Sequence, residues 1–253
     1  KVSVSQFHGI EIEPFPAEIA KVALWLMDHL CNMEVADRFG QYFARIPIKD
    51  APHIVCANAL TTDWPRTDYI LGNPPFLGAM RILDSQKPDM ERVFGKGQKM
   101  LGELDLVTAW FKKASDFIQG TTTKCAFVAT NSITQGQQVP ILWQSMNVGI
   151  DFAYRTFKWK NAAKGVAAVH CVIVGFSVCG NGEKQIFDGD AVISATNING
   201  YLVDAPNVYV ESLSKPLCDV PPIGIGNKPI DGNNYLFTKE EMDAFVKQGP
   251  ASK

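Results

Sequence analysis

With 253 residues, 46% of them hydrophobic and 20% charged, at a mean hydropathy of −0.02, the chain has the make-up of a soluble protein that buries a sizeable core. No apolar run approaches the roughly 18–20 residues that span a bilayer, and the start KVSVSQFHGIEIE lacks the apolar core of a secretion signal, which excludes a membrane reading and points to the cytoplasm. The formal charge of −2 leaves no basic footprint, and six scattered cysteines and four unclustered histidines predict neither a disulfide framework nor a metal site.

In chain order, FHGIEI (7–12) is predicted as a strand. Pro14 and Pro16 punctuate its end before AEIAKVALWLMDHL (17–30), where Ala20, Ala23, Leu24, Met27 and Leu30 recur at helical spacing. HIVCANAL (53–60) and DYILG (68–72) read as strands, a helix is expected over about 100–119, and KCAFVAT (124–130) is the next strand. IDFAYRTFKW (150–159) and AAVHCVIVGFS (167–177) form a closing pair joined by a short polar link. Strands alternating with helices predict an α/β, Rossmann-like sheet, and the closing pair gives it an antiparallel edge. Cys56, Cys125 and Cys171 sit within apolar runs and are expected to be reduced core thiols.

After Ser177 the pattern turns to Asn, Gly and Pro, with short strand-like pieces over 190–237 and a last helix opened by the capping-box pair Thr238 and Glu241. A boundary near 180 is expected, with residues 1–180 as the main α/β unit and 181–253 as a smaller, mainly β or irregular segment.

The chemistry is concentrated in YILGNPPFLG (69–78). Proline has no backbone donor and cannot continue a central strand, so the strand stops at Asn73. Ligands of open α/β sheets gather at such carboxyl ends. Two prolines hold the backbone rigid, so the Asn73 side chain and the Pro74 carbonyl can act as two fixed acceptors, which suits one NH2 group. The exocyclic amine of adenine or cytosine is a poor nucleophile because its lone pair is delocalised. Hydrogen bonds from both N–H groups would draw it toward a tetrahedral shape. Phe76 offers a stacking face worth roughly 1–3 kcal/mol. A Pro-Pro pair alone arises by chance about once in 400 positions, and Pro221-Pro222 is such a pair. The strand, the asparagine and the aromatic residue together are more specific.

GNPPF resembles the signature of the class I S-adenosylmethionine-dependent amino-methyltransferases of DNA, and fits their adenine N6 branch. The resemblance makes Asn73, Pro74, Pro75 and Phe76 the catalytic segment. GIEIEP resembles the family's second motif, which implies that Glu11 holds the cofactor ribose with Ile12 beside the adenine. IVCANAL resembles the third, with Asn58, next to Ala59, accepting a bond from the cofactor's adenine amine where Asp is frequent. LDLVTAWFKKA, FVATNSITQGQQV, RTFKWKNAAKGVAAVHCVIVGFS and GNKPIDGNNYLFT are similar to bacterial restriction-modification enzymes that carry methylase and nuclease in one polypeptide. That implies S-adenosylmethionine as cofactor, double-stranded DNA as partner, and a nuclease domain in the same full-length chain. The glycine-rich first motif of the family belongs before GIEIEP. The chain is therefore expected to be an internal fragment, inactive alone, lacking the sheet's first strand and most of a target-recognition domain.

RTFKWKNAAK (155–164) sets Arg155, Lys158, Lys160 and Lys164 around Phe157 and Trp159 without an acid. The resemblance implies an aromatic residue near here on the far side of a flipped base, so that Phe157 or Trp159 would sandwich it with Phe76, and Lys158 and Lys160 could meet phosphates. A solvated hairpin explains the patch as well. Asp105, expected early in a helix, is accounted for by the helix dipole. Two other functions stay open: a protein-glutamine methyltransferase of the release-factor type, which usually follows Asn-Pro-Pro with Tyr, and a non-catalytic DNA-binding segment. A cytosine C5 methylase would need a Pro-Cys nucleophile, and Cys218 follows Leu217 instead.

Overall fold

The first strand leads straight into a helix because its prolines fall where helices tolerate them. The computed structural model of the chain describes residues 2–40, 51–98, 100–159, 169–178, 180, 182–211, 213, 218–219 and 237–247. Helix α1 (Pro14–Phe39) follows β1 (His8–Glu11) after two residues. Pro14 and Pro16 lie in its first turn, where the missing N–H groups have no intrahelical acceptor to lose. The helix therefore starts before residue 17 and runs on to Gly40, whose φ of 63° forms the left-handed cap and lets its N–H donate to Ala36 O at 2.8 Å.

Strand β2 (His53–Cys56) pairs in parallel with β1, His8 opposite His53 and Glu11 opposite Cys56. It is shorter than the sequence predicts. Asn58 turns the chain, accepting from the N–H groups of Thr61 and Thr62 on its carbonyl and from Leu60 N on Oδ1. Cys56 at the strand end is exposed, contrary to expectation, whereas Cys125 and Cys171 are buried.

The main sheet contains β3 (Tyr69–Gly72), β4 (Lys124–Thr130), β5 (Gly149–Trp159), β6 (Val169–Ser177), β7 (Lys184–Asp188) and β8 (Ala191–Ala195), in the order β3-β4-β6-β5-β7-β8. β3 and β4 are parallel, and β6 is antiparallel to both β4 and β5. The mixed α/β sheet of the sequence reading is present. Its antiparallel side extends beyond β5–β6, because β7 joins β5 in parallel and turns back into β8. The sequence reading missed this hairpin, since Gly and Asp around it resemble loop.

Helix α2 (Lys87–Phe94), α3 (Thr108–Phe117) and α4 (Gln138–Gln144) complete this unit. The first and last escape sequence reading because each is two turns or so and carries a proline. The helix expected over 100–119 is confined to α3, preceded by a short 3-10 turn at Leu101–Glu103. Between them the backbone is committed elsewhere, as Leu106 N donates to Leu77 O at 2.9 Å. The core lies between α3, α4 and the sheet. Phe111 of α3 meets Phe127 of β4 at 5.3 Å and Phe176 of β6 at 5.6 Å between ring centroids, and all three are fully buried.

By internal packing the chain divides into Lys1–Glu211 and Ser212–Lys253. In the second unit α5 (Lys239–Lys247) opens with the expected capping box: Thr238 N donates to Glu241 Oε2 at 2.8 Å and Glu241 N to Thr238 Oγ1 at 3.3 Å. Among the described residues no helix is long and apolar enough to cross a membrane.

Candidate functional site

The carboxyl ends of β1, β2 and β3 open onto one cleft of about 730 Å³, within the range of roughly 300–1,000 Å³ usual for small-molecule sites. Glu11, Ile12, Asn58 and Ala59 line it together with Asn73, Pro74 and Pro75. Three segments that are far apart in the sequence thus share one space. Phe76 is half-buried and stands outside the lining.

β3 ends at Gly72, ahead of Asn73 and the two prolines, and the Phe127 ring lies over this glycine. A Cβ added there would lie 3.0 Å from the ring, so any larger residue would require the Phe127 ring to shift beneath the Asn73–Phe76 loop. Pro74 is buried and anchors the turn, while Asn73 projects exposed. Among the described residues no hydrogen bond engages the Asn73 side chain or the Pro74 carbonyl, so both acceptors are available at the rim.

Glu11 receives one bond, from Glu13 N to Oε1 at 3.1 Å, which leaves Oε2 to face a ligand. Asn58 is fixed from both sides: Oδ1 accepts from Leu60 N at 2.9 Å and Nδ2 donates to Asp89 Oδ2 at 2.7 Å. Its oxygen keeps one lone pair for a further donor. Ala59 is pinned through its carbonyl, which accepts from Trp64 Nε1 at 2.8 Å and Lys113 Nζ at 2.7 Å. Lys113 also reaches the carbonyls of Leu60 and Thr62, and burial lowers its pKa from the usual lysine value.

The cleft residues that the sequence does not single out include Asp89, Leu106 and Trp110. Asp89 opens a short helix that carries no periodic signal. Leu106 and Trp110 belong to LDLVTAWF, where they read as ordinary helix-face residues.

The end of β5 lies at the same end of the sheet as the Asn73–Phe76 loop. Phe157 and Thr130 are both opposite Cys171, one from each side of β6, and Thr156 Oγ1 donates to Asn131 Oδ1 at 2.6 Å. Phe157 is half-buried, and Lys158 and Trp159 are exposed. Lys160 and Lys164 lie outside the described residues. Arg155 is not the free cation that the sequence suggests: Nε donates to Leu202 O and NH1 pairs with Asp188 at 3.0 Å. The described residues contain no group of three or more potential metal-ligating side chains.

Comparison with known proteins gives a consistent set of matches. The model of the MmeI DNA-methyltransferase domain matches residues 1–188, and that of the MmeI target recognition domain matches residues 204–253. A DNA methyltransferase A of Bacillus subtilis (strain 168) is 39% identical over 264 aligned positions, which cover 98% of this chain and 30% of the relative. Among solved structures, the Type IIL restriction-modification enzyme MmeI in complex with DNA superposes with a TM-score of 0.89 at 48% identity, over 100% of this chain and 36% of that one. The chain thus spans about a third of the length of these relatives.

Proposed function

The chain belongs to the family of the MmeI DNA-methyltransferase domain, and from that premise we propose that it is the methyl-transferring part of a restriction-modification enzyme acting on adenine N6 of DNA, with S-adenosylmethionine as donor. The observation that carries the reading is the convergence of Glu11, Asn58 and Asn73-Pro74 on one cleft, with the acceptors of Asn73 and Pro74 unengaged. The residues fit the cofactor. Glu11 Oε2 suits ribose hydroxyls, Asn58 suits an adenine amine, and Ile12, Leu60 and Trp110 supply apolar walls. Bound there, S-adenosylmethionine would supply an electrophilic methyl group.

The chain's own residues act on the target base. Asn73 and the Pro74 carbonyl accept both N–H bonds of the adenine amine and hold its lone pair toward the donor. Pro75 keeps this loop rigid, and Phe76 stacks on a base extruded from the duplex. Extrusion costs a few kcal/mol, which stacking and the two hydrogen bonds offset. Phe157 and Trp159 are the second stacking candidates, and Lys158 and Lys160 the phosphate contacts. Residues 1–180 serve catalysis, and 181–253 form the linker and the start of target recognition.

The test is the chemical identity of the product. The enzyme in its full encoded length is incubated with isotopically methyl-labelled S-adenosylmethionine and duplex DNA, and the DNA is digested to nucleosides. Label in N6-methyladenine is the expected result. Label in a glutamine side chain of an added release factor, with none in DNA, would replace the reading, and cofactor-indifferent DNA binding without transfer would make the chain a binding segment.

A further inference from the structure

Asp105 is only 7% exposed, yet among the described residues no cation pairs with it. A carboxylate withdrawn from water needs hydrogen bonds in exchange, and the donors that reach it come from two loops. Oδ1 accepts from Ala79 N at 3.0 Å, three residues past Phe76. Oδ2 accepts from Thr130 Oγ1 at 3.2 Å and from Ser132 Oγ, at the carboxyl end of β4. Its own backbone is fixed as well, since Asp105 N donates to Gln138 Oε1 at 3.1 Å and its carbonyl accepts from Thr108 Oγ1 at 2.7 Å. The neighbouring Leu106 N adds the 2.9 Å bond to Leu77 O.

Resting on the functional reading above, we propose that Asp105 is a positioning residue for methyl transfer, clamping the far side of the Asn73–Phe76 loop to the end of β4. The near side of that loop needs no clamp: Gly72 is paired with Phe127 in the sheet and the two prolines restrict φ. Beyond Phe76 no proline restricts the backbone before Pro88, and the segment is held by the packing of Leu77 against the cluster that contains Leu104 and Leu106 and by bonds to the 105–106 segment. Among the described residues, the backbone N–H of Ala79 and the carbonyl of Leu77 are the loop groups that hydrogen-bond to the 105–106 segment. A carboxylate suits the place because it accepts from a backbone N–H on one oxygen and from two hydroxyls on the other. Asparagine retains the first bond and can offer its NH2 to the hydroxyl oxygens. Alanine retains neither. The helix dipole, which sequence reasoning gave as sufficient reason for Asp105, is not what engages it, because α3 starts only at Thr108.

The experiment compares Asp105→Ala and Asp105→Asn in the full-length enzyme, reading single-turnover methylation, cofactor and DNA affinity, and hydrogen exchange. A loop that drifts by about 1 Å can cost about 100-fold in rate. Asp105→Ala is expected to lose about that factor, with both affinities within about threefold of wild type, and Asp105→Asn to recover to within about tenfold. Exchange at the Ala79 amide should rise at least about tenfold in Asp105→Ala while the amides of β3 and β4 change little. Wild-type turnover in Asp105→Ala, a loss matching its unfolded fraction, or unchanged exchange at Ala79 would overturn the proposal. If Asp105→Ala does not fold, the double variant Thr130→Val, Ser132→Ala keeps the carboxylate and removes one side of the clamp; a rate within twofold of wild type there would equally count against it. A wild-type enzyme that transfers no methyl group would sink the functional reading, while exchange at Ala79 would still decide whether Asp105 holds the loop.

Discussion

Cys56, Cys125 and Cys171 occupy similar apolar strands in the sequence, yet their side chains meet different surroundings. Cys56 is exposed and donates to Ile12 O at 3.5 Å, while Cys125 faces the core beside Phe111 and Phe176. Burial pushes the Cys125 thiol from 9.0 up to about 12 and raises that of Cys171. Between pH 9 and about 12 the unfolded chain therefore loses a proton that the native state keeps, so this site's contribution to stability is full below pH 9 and declines as pH rises through that window. At pH 8 a soluble thiol reagent should label Cys31, Cys56 and Cys218 promptly and reach Cys125 and Cys171 only on unfolding, at least about 100-fold more slowly. Labelling of native Cys125 at the rate of Cys56 would contradict the packing. Single residues differ in how far a sequence shows them. Asn73 is legible because its partners Pro74, Pro75 and Phe76 are adjacent. Asp89 and Trp110 are not, because their place in the cleft arises only when three distant segments fold together.

Among the elements, β4 is legible over its full length, since seven residues between turn signals leave no ambiguity. β2 is shorter than its apolar run because an asparagine turn cuts it, and α1 is longer than its periodic stretch because its prolines sit at the one end that accepts them. The end of β5 carries the element-scale prediction. Lys158 projects exposed at the rim that holds Asn73, whereas Arg155 is tied to Asp188 and Leu202. If Lys158 and Lys160 neutralise phosphates, changing both to Ala should weaken binding to every DNA sequence and reduce the slope of log K against log salt by about 2. An unchanged slope would return the hairpin to a solvated surface. Arg155→Ala should instead act mainly on stability.

For the whole molecule, the order of the main sheet places Asn73–Phe76 and Phe157–Trp159 at one end, while Glu11, Ile12, Asn58 and Ala59 come from the separate β1–β2 pair that lines the same cleft. β3, β4 and β5 run in the same direction, so the Asn73–Phe76 loop, the Thr130–Ser132 turn and Phe157–Trp159 form one rim, next to the cleft shared with β1 and β2. Alternation of strands and helices made the α/β class legible. The β7–β8 extension was hidden because a two-residue turn between short strands carries too few apolar positions to register. Family membership adds what the geometry alone does not name, a methyl-transferring domain joined to a target recognition domain. Alignment of the adenine amine by Asn73 is tested by single-turnover methylation of a duplex carrying the site of the full-length enzyme. Asn73→Ala should lower the rate by about 10²–10³ while cofactor and DNA affinity survive, because the lost bond matters chiefly in the transition state. Asn73→Asp should lose less, since a carboxylate still accepts the bond. A wild-type rate in Asn73→Ala would reduce the Asn-Pro-Pro-Phe segment to a strand terminator and contradict the account.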